Sequence, residues 1–238
     1  RNLTISGELD AATGDFSGDV DIDGTLETDA ITLGGASFIK VEGTDFTGSL
    51  LVGHSTTGTL DAAQYNTGVG LTALDALTTG DNNTTLGYGA GSAITTASSC
   101  VFIGSGAGDA ITGASDNVAV GAGALSGTGT ASSSAYNVAV GKDAMNVSNG
   151  ARFNVAIGKD AGRTITAGDY NIVIGAEAAE NLTSGQGNVI IGANVDVSSA
   201  TGDRELIIHG NSGDDQTTWI QGDSSGNITM PAELAAVS

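Results

Sequence analysis

A five-residue pattern recurs along the chain at a nearly constant interval. Asparagine, an aliphatic residue, a small or aliphatic residue, a second aliphatic residue and glycine follow one another in "NVAVG", "NVAIG" and "NIVIG". Seven of the eight intervals between successive closing glycines are 17 residues and the eighth is 20. The glycines are Gly53, Gly70, Gly87, Gly104, Gly121, Gly141, Gly158, Gly175 and Gly192. A repeat this regular indicates a solenoid, in which each unit is one coil stacked on the next.

Residues at fixed offsets from the glycine indicate the path of one coil. Alanine usually stands three positions after it, and several copies carry an aliphatic residue and threonine four positions later. Because 17 residues are too few for a strand-helix-strand unit, the spacing predicts a short strand, a glycine corner, a second short strand and a polar turn. We therefore predict an all-β fold, a parallel β-solenoid or β-roll of about nine coils.

The glycine and asparagine columns each have a physical reason. At a corner repeated in register, neighbouring backbones approach so closely, or adopt such a conformation, that a Cβ atom would not fit. Stacked asparagine side chains lie about 4.8 Å apart, so their amides can form a hydrogen-bonded ladder. The asparagines stand four positions before the glycine, at Asn66, Asn83, Asn117, Asn137, Asn154, Asn171 and Asn188, and Ser49 and Cys100 replace them in two copies.

The strand residues suggest a contact between copies of the chain. By the period of two, we expect the residues three and one before the glycine, such as Val118 and Val120, to line the interior of the coil. The residue between them would face outward, and its column is almost free of charge. An apolar outer face normally packs against a partner, so we expect closed cyclic symmetry with this column on the axis. Its members include Phe102, Ala119, Ala139, Ala156, Val173 and Ile190.

Composition narrows the classes of function. The chain has 27 acidic and seven basic residues, for a net charge of −20, which disfavours binding to nucleic acid or anionic membranes. No apolar run is long enough to span a membrane, and no signal sequence opens the chain, so we expect no membrane insertion. The one cysteine, Cys100, cannot form an internal disulfide and is expected to be a small interior substitute for asparagine.

The units "NTGVGLTAL", "NTTLGYGAG" and "NVAIGKDAG" resemble the repeats of bacteriophage tail fibres and other virion fibre proteins. They are also similar to the β-roll head of trimeric autotransporter adhesins. The resemblance spans residues 49 to about 195 and implies a homotrimeric rod on the outside of the virion, with a host cell-surface glycan or protein as receptor and other virion proteins as partners. The alternative is the head of a bacterial surface adhesin. Coils longer than the adhesin pattern, with no recognisable stalk or anchor, favour the virion.

The segments that flank the repeat indicate three regions. Residues 1–48 resemble the short repetitive β shafts of phage fibres, and residues 49–195 form the predicted solenoid. The period fades after Val195, so residues 196–238 are expected to cap the last coil or to join a downstream tip domain. The three-residue insertion, within Thr128 to Tyr136, is the first place we expect a receptor to bind if it contacts the rod.

Several apparent ligand sites have simpler explanations. Asp19, Asp21 and Asp23 copy the opening of a calcium loop, but its twelfth position is Ala30. "GSGAGD" at residues 104–109 lacks the lysine of a phosphate-binding loop. His54 and His209 have no companion ligands or nucleophile. We expect no metal, no cofactor and no catalytic site.

A glycan depolymerase is the remaining enzymatic hypothesis. Some phage spikes cleave glycans with two carboxylates on a solenoid face. Such spikes usually have longer coils and a groove of aromatic residues, whereas this chain has four Tyr, five Phe and one Trp spread over its length. The sequence therefore favours a structural fibre that is not an enzyme.

Overall fold

The computed structural model describes residues 31–33, 36–41, 49–52, 61–127, 133–211 and 216–230, with 31–33, 36–41 and 216 as backbone only. These residues form one 14-stranded sheet without a helix, in which each strand pairs with the next along the chain. The strands are β1 (Ile31–Leu33), β2 (Ala36–Val41), β3 (Leu50–Val52), β4 (Thr67–Val69), β5 (Thr84–Leu86), β6 (Val101–Ile103), β7 (Val118–Val120), β8 (Val138–Val140), β9 (Val155–Ile157), β10 (Ile172–Ile174), β11 (Val189–Ile191), β12 (Leu206–Asn211), β13 (Gln216–Gly222) and β14 (Ile228–Thr229).

The strands from β3 to β12 stack in parallel, one strand per coil, which confirms the predicted β-solenoid. Their register follows the sequence repeat, so that Val173 pairs with Ala156 on one side and with Ile190 on the other. The 20-residue interval keeps this register, because Ala119 pairs directly with Ala139. The pairing continues to Ile207, opposite Ile190, one coil beyond the predicted end at Val195.

The second strand predicted for each coil is absent from the described residues. After the glycine, the chain passes through consecutive turns in which the residues at the second and fourth positions have positive φ, as in Asp143 (55°) and Met145 (48°). The aliphatic-threonine segment that follows is a bend, although Thr95 N still donates to Thr112 O of the next coil at 2.9 Å. Repeated positive φ turns the chain too sharply for an extended segment.

The glycine that closes each strand is required by close approach of the coils. Its φ is +134° at Gly141 and +137° at Gly158, in a region that side chains rarely adopt. From Gly70 to Gly175, a Cβ at this column would lie within 2.6 Å of the carbonyl oxygen of the corresponding glycine in the next coil. The backbones therefore stack at the corner with no room for a side chain, as the sequence predicted.

The interior of each coil is narrow, so a large side chain on one side of it is opposed by a small residue on the other. The alanines three positions after the glycine, such as Ala124 and Ala161, are fully buried. Phe102 occupies the space beside Gly108, whose ideal Cβ would lie within 2.7 Å of three ring atoms. Conversely, Gly68 faces the large Leu74. Close packing of this kind makes the interior sensitive to single methyl groups.

Antiparallel strands lie at both ends of the parallel stack. At the start, β1 pairs with β2 and β2 with β3. At the end, β12 pairs with β13 and β13 with β14. The C-terminal hairpin thus covers the edge that the last parallel strand would otherwise leave unpaired.

Candidate functional site

A ladder of asparagine side chains runs through the interior of the solenoid. In five of the seven asparagines, the side-chain Nδ2 donates to Oδ1 of the asparagine in the preceding coil at 2.9–3.2 Å; these are Asn83, Asn137, Asn154, Asn171 and Asn188. The same Oδ1 accepts the next asparagine's backbone N–H, as when Asn171 N donates to Asn154 Oδ1 at 2.8 Å. Nδ2 also reaches across the coil to a carbonyl, as from Asn154 to Gly168 O at 2.8 Å. The side chains are buried, so the ladder satisfies polar groups that have no access to water.

Cys100 interrupts this ladder. Its N–H donates to Asn83 Oδ1 at 3.0 Å, but the sulfur lies 3.6 Å from Ala114 O, where an asparagine amide would form a full hydrogen bond. Burial raises the pKa of the Cys100 thiol to about 11, although the backbone N–H of Asn117 stabilises the thiolate. The thiol is therefore protonated near neutral pH and unreactive. It is an interior substitute for asparagine.

The structure reverses the predicted orientation of the strands. The column expected to face outward onto a symmetry axis is fully buried inside the coil of a single chain, at Phe102, Ala119, Ala139, Ala156, Val173 and Ile190. Val118 and Val120, expected inside, are only half-buried and lie on the outer side of the sheet. This column cannot line an axis between copies, because its side chains are already buried in the hydrophobic core of one chain.

The outer side of the parallel sheet is apolar and open. We call the first and third residues of β3 to β11 the outer sheet face. None of these nine strands contains a charged residue. Exposed members include Leu86, Ile157 (40% exposed) and Ile174 (37% exposed). An aligned surface of β-branched side chains is typical of an interaction site.

Three aromatic rings form a second exposed column, five positions before the glycine. The centroids of Tyr136 and Phe153 are 4.8 Å apart, and those of Phe153 and Tyr170 are 4.9 Å apart, with the rings within 3° of parallel. The next residue of the column is Gly187 and the one after it is Arg204. Sequence reasoning missed this stack, although its members follow the 17-residue interval.

Glu205 ends the asparagine ladder at the C-terminal side. It takes the asparagine position of the last coil, and its N–H donates to Asn188 Oδ1 at 2.8 Å. Its carboxylate accepts from Ser198 N at 3.0 Å and from Ser198 Oγ at 3.1 Å. A cavity of about 260 Å³ beside it is lined by Asp203, Glu205 and residues of the hairpin. Because the carboxylate is hydrogen-bonded within its own coil, we assign it to closing the ladder.

The remaining candidate sites have structural roles or lie outside the described residues. Gly106 and Gly108 of the phosphate-loop-like segment form the turn beside Phe102, and burial raises the pKa of the neighbouring Asp109. His209 Nδ1 lies 3.2 Å from Thr218 Oγ1. The calcium-like segment of residues 19–30, His54 and insertion residues 128–132 lie outside the described part of the chain.

Ion pairs form at the corner after the glycine in three adjacent coils. Lys159 Nζ lies 2.7 Å from Asp160 Oδ2 and 2.6 Å from Glu177 Oε1 of the next coil. Hydrogen bonds to Asp160 and Glu177 raise the pKa of Lys159 above its usual value. Because Lys159 is exposed, these pairs contribute little stability.

Comparison with protein-family models, curated proteins and solved structures finds no match to this chain. The part of the chain that the structure describes holds no helix with the length and hydropathy of a transmembrane segment. Within the same residues, no three His, Cys, Asp or Glu side chains are arranged to hold a metal ion. The outer sheet face and the aromatic column are the candidate functional surfaces of the described residues.

Proposed function

We propose that this chain is a structural, non-enzymatic segment of a bacteriophage fibre, a homotrimeric rod on the outside of the virion that takes part in attachment to the host surface. The observation that carries the proposal is the outer sheet face. It is an uncharged strip along nine successive coils, aliphatic except for Thr67 and Thr84, on a chain whose net charge is −20.

The charge distribution supports association through this face. Copies of a strongly acidic chain repel one another over most of their surface. The outer sheet face exposes apolar side chains and contains no charged residue, so burying it removes apolar area from water at little electrostatic cost. Association in a closed ring would cover the face of every copy equally. With the corrected orientation, the proposed contact would involve Ile157 and Ile174 rather than Ala156 and Val173.

A fibre of this kind would act as a mechanical rod that carries several copies of the same binding site. Three identical chains would present three equal sites to the host, so that weak contacts add through effective concentration. The proposed partners are a host cell-surface glycan or protein receptor and other virion proteins. The acidic charge disfavours nucleic acid as a ligand.

The first experiment is the native mass in solution by light scattering. The expected mass is three times the 23.2 kDa of one chain. The test variant is Ile157→Lys with Ile174→Lys, which places two like charges on the outer sheet face and is expected to shift the mass to one chain. Both side chains are exposed in the single chain, so circular dichroism should remain that of the unchanged protein.

The matched control is Ala167→Lys with Ser184→Lys, at exposed positions one coil apart in another column. We expect this control to keep the trimeric mass. A single-chain mass for the unchanged protein would contradict the proposal. A trimer that survives both lysines on the outer sheet face would show that the contact lies elsewhere.

A further inference from the structure

The aromatic column ends at a position with no side chain. Tyr136, Phe153 and Tyr170 occupy successive coils, and Gly187 takes the same place in the following coil. The exposed fractions agree with the order of stacking, because Phe153 between two rings is 40% exposed and Tyr170 at the end is 59% exposed. The face of Tyr170 that points toward Gly187 has no ring against it among the described residues.

The space beside Gly187, between Tyr170 and Arg204, is wide enough for one ring. Successive coils of a parallel stack are separated by about 4.8 Å, so the column positions of Tyr170 and Arg204 are about 10 Å apart. A ring midway between them would lie at the distance that already separates the stacked rings, 4.8–4.9 Å. Arg204 leans toward this space, with Cγ 3.5 Å from where a Cβ of residue 187 would stand.

Polar groups border the same position. Asp203 Oδ1 accepts from Gln186 N at 2.7 Å, which holds the carboxylate beside the peptide that precedes Gly187. The side chains of Gln186 and Arg204 are exposed. Neither side chain makes an ion pair or a hydrogen bond within the described part of the chain. The border thus offers a carboxylate acceptor, an amide and guanidinium donors.

We propose that the gap at Gly187 binds one pyranose ring of a neutral glycan, stacked on Tyr170 and hydrogen-bonded to Asp203, Gln186 and Arg204. The C–H groups on a face of the sugar would contact the aromatic face, while its hydroxyls at the rim would meet the polar border. An aromatic side chain of a protein receptor would fill the same space but leave those polar groups without partners. Acidic sugars are disfavoured by Asp203 and by the net charge of −20.

The glycan ligand deepens the attachment role proposed above and rests on it. The two ideas remain separable, because the fibre is tested by native mass and the gap by saccharide binding. Variants at the gap lie on a different column from the outer sheet face, so they should leave the native mass unchanged.

The test variant is Gly187→Tyr, which continues the stack into the gap. Gly187 has φ of 67°, and the same column already holds Tyr136, Phe153 and Tyr170 at 59–61°, so the backbone conformation accepts a tyrosine. A Cβ there meets only Arg204 Cγ within 4 Å. The second variant, Tyr170→Ala, removes the stacking surface. Tyr88→Ala is the matched control, because Tyr88 is an exposed tyrosine outside this column.

The full chain and each variant are applied to an array of neutral and acidic glycans, and the strongest neutral glycan is titrated. We expect at least a tenfold loss of affinity in Gly187→Tyr and in Tyr170→Ala, and no loss in Tyr88→Ala. The proposal is overturned if no neutral glycan binds, if only acidic glycans bind, or if Gly187→Tyr binds as the unchanged chain does. Binding of aromatic peptides in place of glycans would also overturn it.

Discussion

Completing the asparagine ladder at Cys100 is expected to stabilise the protein. In Cys100→Asn, the new Nδ2 would donate to Asn83 Oδ1 and to Ala114 O, the carbonyl that the sulfur already approaches to 3.6 Å. The new Oδ1 would accept from Asn117 N and Nδ2. These are the bonds that other asparagines of the column make at 2.8–3.2 Å. The backbone geometry for them already exists, since Cys100 N donates to Asn83 Oδ1.

The magnitude follows from the number of hydrogen bonds. The substitution adds three or four bonds, each worth about 0.5–1.5 kcal/mol net, and removes the weak contacts of the thiol. Ordering and burying a larger polar side chain offsets part of this gain. We therefore expect the free energy of unfolding to rise by about 2 kcal/mol. The reverse change, Asn154→Cys, should cost about 2–4 kcal/mol, because Asn171 N–H loses its acceptor at 2.8 Å.

Guanidinium chloride unfolding, followed by circular dichroism, measures both changes if the slope with denaturant is unchanged. Because repeat arrays can lose cooperativity, hydrogen exchange at the Asn117 amide provides a local measurement. Cys100→Ala is the control, since it removes the thiol without adding an amide. The reasoning would be refuted if Cys100→Asn were no more stable than Cys100→Ala, or if exchange at Asn117 were not slowed.

Three other outcomes follow from the packing. Gly158→Ala should lower the free energy of unfolding by about 3 kcal/mol or more, because the new Cβ would collide with the Gly175 carbonyl and the residue has a φ of +137°. Denaturant unfolding measures this loss. A substitution without effect would contradict the close approach of the two backbones. Phe102→Ala should lower the free energy of unfolding by about 3–5 kcal/mol. Gly108→Ala should destabilise the Phe102→Ala variant less than it destabilises the unchanged protein, and a double-mutant cycle detects this difference as coupling. The Cys100 thiol, with its pKa raised to about 11 by burial, should not react with a disulfide reagent at pH 8 until the protein unfolds; rapid reaction of the native protein would contradict its burial.

The sequence predicted the solenoid because the spacing of the repeat fixes the register between coils. Residues 17 apart pair directly, as Val155 with Ile172, so any side chain with a role in stacking recurs at that interval. Glycine and asparagine were assigned correctly for the same reason, since each acts on the equivalent residue of the next coil. The second strand was predicted wrongly because the prediction overlooked the second position after the glycine, where Gly, Asp and Asn, the residue types that tolerate positive φ, predominate.

The orientation of the strands could have been predicted from the asparagines. Residues four and two before the glycine, such as Asn154 and Ala156, point to the same side by the period of two. If the amides form a buried ladder, the small residue beside them is also buried, and Val155 and Ile157 must face outward. Assigning the larger aliphatic residues on either side, such as Val155 and Ile157, to the interior reversed this result.

The sequence by itself determined the coil length, the stacking register and the columns of glycine and asparagine, because those depend on contacts between equivalent residues. Only the tertiary structure decided which side of the sheet is covered, how Phe102 fits beside Gly108, and that Tyr170 ends a stack beside an empty position at Gly187. These features depend on distances across and around one coil. Such distances are set by the sharp turns after each glycine, and the 17-residue interval gives only the pairing between coils.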